Sequence, residues 1–163
     1  MAQIDTYNFS KKRALVRVDF NVPLDKNTFA VVDDTRIRAA IPTINKILND
    51  GGSVVLMSHC GRPKSGPEDR FSLKHLVKTI ESLVGVKVHF SNEIVSEKSF
   101  KKSGALPFGE ILMLENLRFD PREKSGDVGF SKALSKHGEV YVNDAFGTAH
   151  RAHASTSMLA AEF

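Results

Sequence analysis

Apolar residues recur at three- and four-residue intervals in two long stretches of the chain. Ile37, Ala40, Ile41, Ile44, Ile47 and Leu48 form the first, closed by Gly51 and Gly52; Leu73, Leu76, Val77, Ile80, Leu83 and Val84 form the second. That spacing lines one face of an α-helix, so both stretches are predicted helices. Pro42 lies inside the first, where it either kinks the helix or marks its effective start. Ser72 is the expected N-cap of the second and Gly85 its stop. Weaker helical periodicity runs from about residue 93 to 102 and from about 128 to 137, the latter closed by Gly138. Between these lie short apolar runs of strand character at 14–20, 53–58, 86–90, 110–114 and 140–142.

Strands alternating with helices imply right-handed βαβ units. The expected fold is therefore α/β: a Rossmann-like three-layer domain with a mostly parallel sheet and helices on both faces. A chain of 163 residues suits one domain, expected over 1–163, with no internal repeat. Its apolar runs are too short to cross a membrane, and no apolar signal segment follows Met1. The single cysteine, Cys60, has no internal disulfide partner, which together with the missing signal favours the cytoplasm. The net charge of +4 comes from scattered lysines rather than a basic stripe, and two tyrosines with no tryptophan offer little stacking surface. A nucleic-acid partner is therefore not expected.

Loop lengths point to where chemistry belongs. Helix-to-strand turns are tight, whereas the strand-to-helix segments 21–34, 59–71 and 117–124 are long. Those segments lie at the carboxyl ends of strands, where open α/β sheets bind ligands. Arg17, Asp19 and Asn21 share one face if the first strand keeps its period of two. Asp33-Asp34-Thr35-Arg36 opens the first helix, and His59-Cys60-Gly61-Arg62-Pro63 leaves the second strand. Glu115-Asn116-Leu117-Arg118 leaves the fourth, and the fifth runs through Asn143 and Asp144 to His150, Arg151 and His153. Four segments thus each bring an arginine to one edge.

Arginine stays charged and grips phosphate or carboxylate through a planar fork. Several such contacts suit a small phosphorylated acid. Arg36 sits near a helix N-terminus, where the macrodipole disfavours a cation unless an anion is close. A simpler account pairs Asp33 and Asp34 with Arg36 and Arg38. No close cysteine pair or His-Glu-x-x-His spacing supports a metal site. Cys60 has no acid partner at useful spacing and is expected to contribute only backbone. Gly61-Arg62-Pro63-Lys64-Ser65-Gly66 lacks the leading glycine and the Gly-Lys-Ser/Thr order of a P-loop, which argues against an ATP site there.

The blocks Arg17–Pro23, Asp33–Ile37, His59–Pro63, Leu114–Phe119 and Asn143–His153 resemble, in order, the signatures of phosphoglycerate kinases. The resemblance covers essentially the whole chain. It implies an enzyme that transfers a phosphoryl group between 1,3-bisphosphoglycerate and ADP, giving 3-phosphoglycerate and ATP, with magnesium on the nucleotide. Its N-terminal lobe holds 3-phosphoglycerate and its C-terminal lobe the nucleotide. By motif, Asp19, Phe20 and Asn21 border the substrate. Arg62, Arg118 and Arg151 grip it, with His59 and the backbone near Cys60 and Gly61, and Arg36 swings onto the transferring phosphoryl group.

Cys60 departs from the family's more usual leucine. The chain also stops before the family's interdomain helix and nucleotide lobe, so the C-terminal domain is expected as its missing partner. On this reading the fragment alone is inactive and binds no cofactor, and the full-length enzyme is a cytoplasmic monomer with no membrane or nucleic-acid partner. The alternative is a free-standing anion-binding regulatory domain.

Overall fold

A computed structural model of the chain describes residues 4–64, 66–145, 157–160 and 163. Five strands, β1 (Arg13–Arg17), β2 (Ser53–Met57), β3 (Val88–Ser91), β4 (Ile111–Leu114) and β5 (Val140–Asn143), form one sheet in the order β3-β4-β2-β1-β5. Every pairing between them is parallel. Strands buried on both faces read as continuous apolar runs rather than alternating ones. The three inner strands follow that rule, and the edge strands β3 and β5 are only partly covered.

Alternate residues of the inner strands feed two separate cores. Ala14, Val16, Val54, Leu56, Ile111 and Met113 face α1 (Thr35–Asn49) and α2 (Val77–Val84), packing on Ile37, Ile44, Ile47 and Ile80. Leu15, Val55, Met57, Leu112 and Leu114 face the other layer, where Phe130 and Leu134 of α5 (Val128–Ser135) meet Leu159 of α6 (Ser157–Ala160). Ile94 and Val95, which precede α3 (Glu97–Gly104), pack on that second core. The three layers match the fold expected from the sequence, and the sheet is wholly parallel among the described strands rather than mostly so.

Local chemistry sets the helix boundaries. The α1 helix starts at Thr35 and continues through Pro42, so Pro42 is not its start. Pro42 is exposed, and the Arg38 carbonyl it leaves without an intrahelical partner belongs to an exposed residue open to water. The buried Ile37, Ala40, Ile44 and Ile47 hold both halves on the sheet. Ser72 accepts from the Lys74 N–H as expected, but the first turn after it, Leu73–Leu76, is 3₁₀ and the α-helix proper begins at Val77. Gly85 ends α2 in the left-handed conformation at φ 81°. A capping box between Ser96 and Ser99 opens α3 four residues later than the periodicity suggested, and Asp127 caps α5 through the Phe130 N–H at 2.7 Å. A short helix, α4 (Arg122–Ser125), lies between β4 and α5.

Connections after β1 and β2 enter α1 and α2 on one face, while those after β3 and β4 enter α3 and α5 on the other. β2 and β4 are neighbours whose chains leave in opposite directions. Their carboxyl ends therefore flank the crevice where such sheets hold ligands.

Candidate functional site

Four cross-links join the segments at this edge. Asn21 Oδ1 accepts the Gly61 N–H at 2.8 Å, tying the loop after β1 to the loop after β2. Arg36 Nη1 reaches both carboxylate oxygens of Asp19, at 3.1 and 3.2 Å, tying α1 to the end of β1. Arg17 Nη2 lies 3.0 Å from Nδ1 of His59. Asn116, fully buried, accepts from the Cys60 and Arg118 N–H groups and donates to the Cys60 and Phe71 carbonyls, at 2.7 to 3.3 Å. Asn21, Asp19, Arg36, His59, Cys60, Gly61 and Arg118 thus belong to one connected surface.

Backbone shape at Gly61 depends on having no side chain. Its φ is +66°, and an added Cβ would stand 2.3 Å from the Phe71 ring. Arg62 follows on the surface, exposed and without a hydrogen bond or ion pair among the described residues. Phe20 is fully buried, and its N–H donates to Ser58 Oγ at 2.9 Å. It borders the site by shaping the turn rather than through an exposed ring.

The period of two carries past the end of β1: Val18, Phe20 and Val22 stay in the core, and Asp19 and Asn21 alternate with them. The strand ends at Arg17, and Arg17 is wholly buried whereas Asp19 is half-buried and Asn21 exposed. Arg17 is thus enclosed, unlike the exposed Arg62. Beyond Arg17 the Val18 N–H still donates to the Met57 carbonyl at 3.0 Å, and side-chain acceptors follow: Ser58 Oγ takes the Phe20 N–H and Asp19 Oδ1 the Asn21 N–H. Burial pushes the Arg17 guanidinium down from its usual range, opposed by the charges of Glu123, Tyr141 and Asp19 and reinforced by Arg118. Glu123 itself is buried on α4, between the exposed Arg122 and Lys124.

The acids before α1 divide their work. Asp33 accepts from the Thr35 N–H and hydroxyl, which together with nearby Arg36 hold its carboxyl below the usual range. Asp34 pairs with Arg38 at 3.0 Å, so neither acid takes Arg36. The anion that answers the helix dipole at Arg36 is Asp19. Burial pushes the Cys60 thiol up, and the side chain packs in the core with its sulfur 3.7 Å from the Val22 carbonyl, which fits a residue that lends its backbone. Burial likewise raises the Asp144 carboxyl against a hydrogen bond from Thr43. Arg151, His150 and His153 lie outside the described residues. Among the described residues no group of three His, Cys, Asp or Glu side chains could hold a metal ion, and no helix is long and apolar enough to cross a membrane.

A cleft of about 430 Å³ between Lys87, His89, Lys102 and Pro107 lies at the β3 edge, away from these groups. Two of its polar groups are engaged within the protein: His89 Nε2 with Glu110 at 2.5 Å and Lys102 Nζ with the Phe90 carbonyl at 2.9 Å. We therefore place the candidate site at the arginine-bearing edge.

The family model for phosphoglycerate kinase matches residues 4–163. The chain is 53% identical over 152 residues to the phosphoglycerate kinase of Herpetosiphon aurantiacus, covering 93% of this chain and 38% of the relative. It is 51% identical over 151 residues to that of Moorella thermoacetica, covering 93% and 38%. Among solved structures, phosphoglycerate kinase from Coxiella burnetii aligns with a TM-score of 0.83 at 33% identity, covering 96% of this chain and 38% of that one. The enzyme from Pyrococcus horikoshii aligns at 0.84 and 31% identity, covering 95% and 39%. The chain thus spans about 38% of the length of the curated relatives it matches, and over that span it belongs to the phosphoglycerate kinase family.

Proposed function

We propose that this chain is the 3-phosphoglycerate-binding half of an enzyme that moves a phosphoryl group between 1,3-bisphosphoglycerate and ADP. The observation that carries the reading is the joining of Asp19, Asn21, Arg36, His59, Gly61 and Arg118 at the β2–β4 crevice, with Arg62 exposed beside it. A small acid bearing a phosphate and a carboxylate suits such a surface, because each charge-assisted hydrogen bond contributes about 1.5–3 kcal/mol. Arg62, Arg118 and Arg151 hold the phosphate end, and His59 with the Cys60–Gly61 backbone completes the grip.

Arg36 has a different task in this proposal. Its ion pair with Asp19 is solvent-exposed on both sides, so it contributes only about 0–1 kcal/mol and exchanges readily for a more highly charged partner. Transferring phosphoryl groups spread charge over their oxygens, and an arginine arriving at that moment lowers the barrier. The substrate carboxylate is itself the nucleophile, so no covalent enzyme intermediate is required.

The described residues do not supply a magnesium site, and no step is routed through the metal. We assign magnesium and the adenine nucleotide to a C-terminal domain of the longer protein, which acts as a monomer in the cytoplasm, with residues 1–163 as its N-terminal domain.

Titration followed by amide NMR tests the reading. 3-Phosphoglycerate should move the resonances of Asn21, Gly61, Arg62 and Arg118, and ADP should move them far less. Equal shifts with ADP, or none with the acid, would overturn the proposal. A coupled assay on the 163-residue chain should show no turnover.

A further inference from the structure

We propose that Arg17 is a positioning residue that fixes His59 as its Nε2–H tautomer, so that the imidazole offers a hydrogen-bond donor to the bound acid. The proposal deepens the site reading above and rests on it, since His59 matters here only if 3-phosphoglycerate binds beside it.

The chemistry of the pair determines the tautomer. A guanidinium has five N–H donors and no acceptor. Arg17 Nη2 lies 3.0 Å from His59 Nδ1, so Nδ1 must accept with its lone pair and the ring proton resides on Nε2. Arg17 cannot rotate away, because Nη1 donates to the Val18 carbonyl at 2.5 Å and the whole side chain is buried. Glu123, Tyr141, Asp19 and Arg118 surround that guanidinium electrostatically, with Glu123 the leading counter-charge. A buried charge with such a partner is retained far more readily than an isolated one. His59 is itself only 8% exposed, so the pair is shielded from competing water.

The consequence is chemical selectivity. Phosphate and carboxylate oxygens accept hydrogen bonds, and an Nε2–H supplies one. The opposite tautomer would turn a lone pair toward the same anion and repel it. Arg17 therefore improves binding without touching the ligand, acting through the imidazole in front of it.

Long-range ¹H–¹⁵N correlation on the labelled 163-residue chain reads the tautomer directly. His59 should show Nδ1 unprotonated and Nε2 protonated before any ligand is added. A protonated Nδ1, or a mixture of tautomers, would overturn the role given to Arg17, even if 3-phosphoglycerate still shifts the site. The expected tautomer with no response of His59 to 3-phosphoglycerate would instead overturn the site reading, and the positioning role with it.

Arg17→Met should mix the tautomers and weaken 3-phosphoglycerate binding by about tenfold, the equivalent of losing one charge-supported contact. Arg17→Lys, which can still donate to Nδ1, should recover the tautomer and most of the affinity. Loss of affinity in both variants with the tautomer unchanged would show that Arg17 acts through structure alone. The wild-type spectrum still discriminates between the tautomers if Arg17→Met fails to fold.

Discussion

The carboxamide of Asn116 clasps the main chain of Cys60 on both sides, accepting from its N–H at 3.3 Å and donating to its carbonyl at 2.7 Å. The same side chain holds the Phe71 carbonyl and the Arg118 N–H, so one buried residue after β4 shapes the loop after β2. Its two donors and its acceptor oxygen are all used.

Asn116→Ala should therefore destabilise the chain by about 3–5 kcal/mol, because several buried backbone groups lose their partner together. Urea denaturation measures this. The amide shifts induced by 3-phosphoglycerate at Gly61 and Arg118 should also shrink, since both backbones lose their anchor. A stability loss under about 1 kcal/mol would contradict the clasp.

Asp19→Asn predicts the opposite balance. The Arg36 pair is exposed, so stability should change by no more than about 1 kcal/mol. With Arg36 released, its side-chain resonances should sharpen and respond at lower concentrations of 3-phosphoglycerate. An unchanged Arg36 signal would show that Asp19 does not hold it in solution.

Gly61→Ala should cost about 1–2 kcal/mol from the left-handed backbone alone, with more from the clash with Phe71. Phe71→Leu in the same chain should recover part of the steric loss and none of the backbone loss. A double-mutant cycle by thermal or urea unfolding separates the two.

His137 makes stability depend on pH. Its Nε2–H donates to the Ile94 carbonyl at 2.7 Å, and Nδ1 lies 3.0 Å from Ser103 Oγ, tying the end of α5 to α3. Burial lowers its pKa to about 4, with the nearby Arg13 charge adding to the shift and the Ile94 hydrogen bond opposing it. The unfolded imidazole titrates near 6.5, so between these values the unfolded state binds more protons. His137 therefore contributes stability fully above pH 6.5 and loses it as pH falls toward 4, a swing of about 3 kcal/mol. Urea midpoints taken from pH 7 to pH 4 should fall, and His137→Gln should flatten that slope. The carboxyls of Asp25, Asp33, Asp50, Asp69 and Asp120 are held below their usual range, and their contribution is also lost as pH falls into the carboxylate range, so the His137→Gln comparison rather than the wild-type slope alone isolates the imidazole.

The fold was largely legible because its signals are local. Periodicity located α1, α2, α3 and α5 and all five strands, and apolar runs marked the buried parallel sheet. Departures arose where distant groups intervene. Glu115 accepts from Ser72 Oγ and the Leu73 N–H across more than forty residues, at the tight turn that opens α2. The Phe20 N–H beyond β1 likewise finds its acceptor in Ser58 Oγ, 38 residues away. At the site, the motif named the residues proposed to bind the acid, but spacing could not reveal that Arg17 lies behind His59, or that Glu123 is buried near it. A charged residue inside the apolar Ala14–Val18 run was the available sign for Arg17. Nothing in the sequence marked Glu123.

The place of β1 in the sheet bears on how the chain is made. It pairs with β2 on one side and with β5 on the other, and the Arg13 N–H reaches Glu139 across 126 residues. At ordinary synthesis rates, about 5–20 residues per second, β5 leaves the ribosome roughly 6–25 seconds after β1. During that interval the β5-facing edge of β1 is unmatched, and the Leu15 face waits for α5 to cover it. A nascent chain in that state is a substrate for chaperones, and codons that slow decoding before β5 would lengthen its exposure.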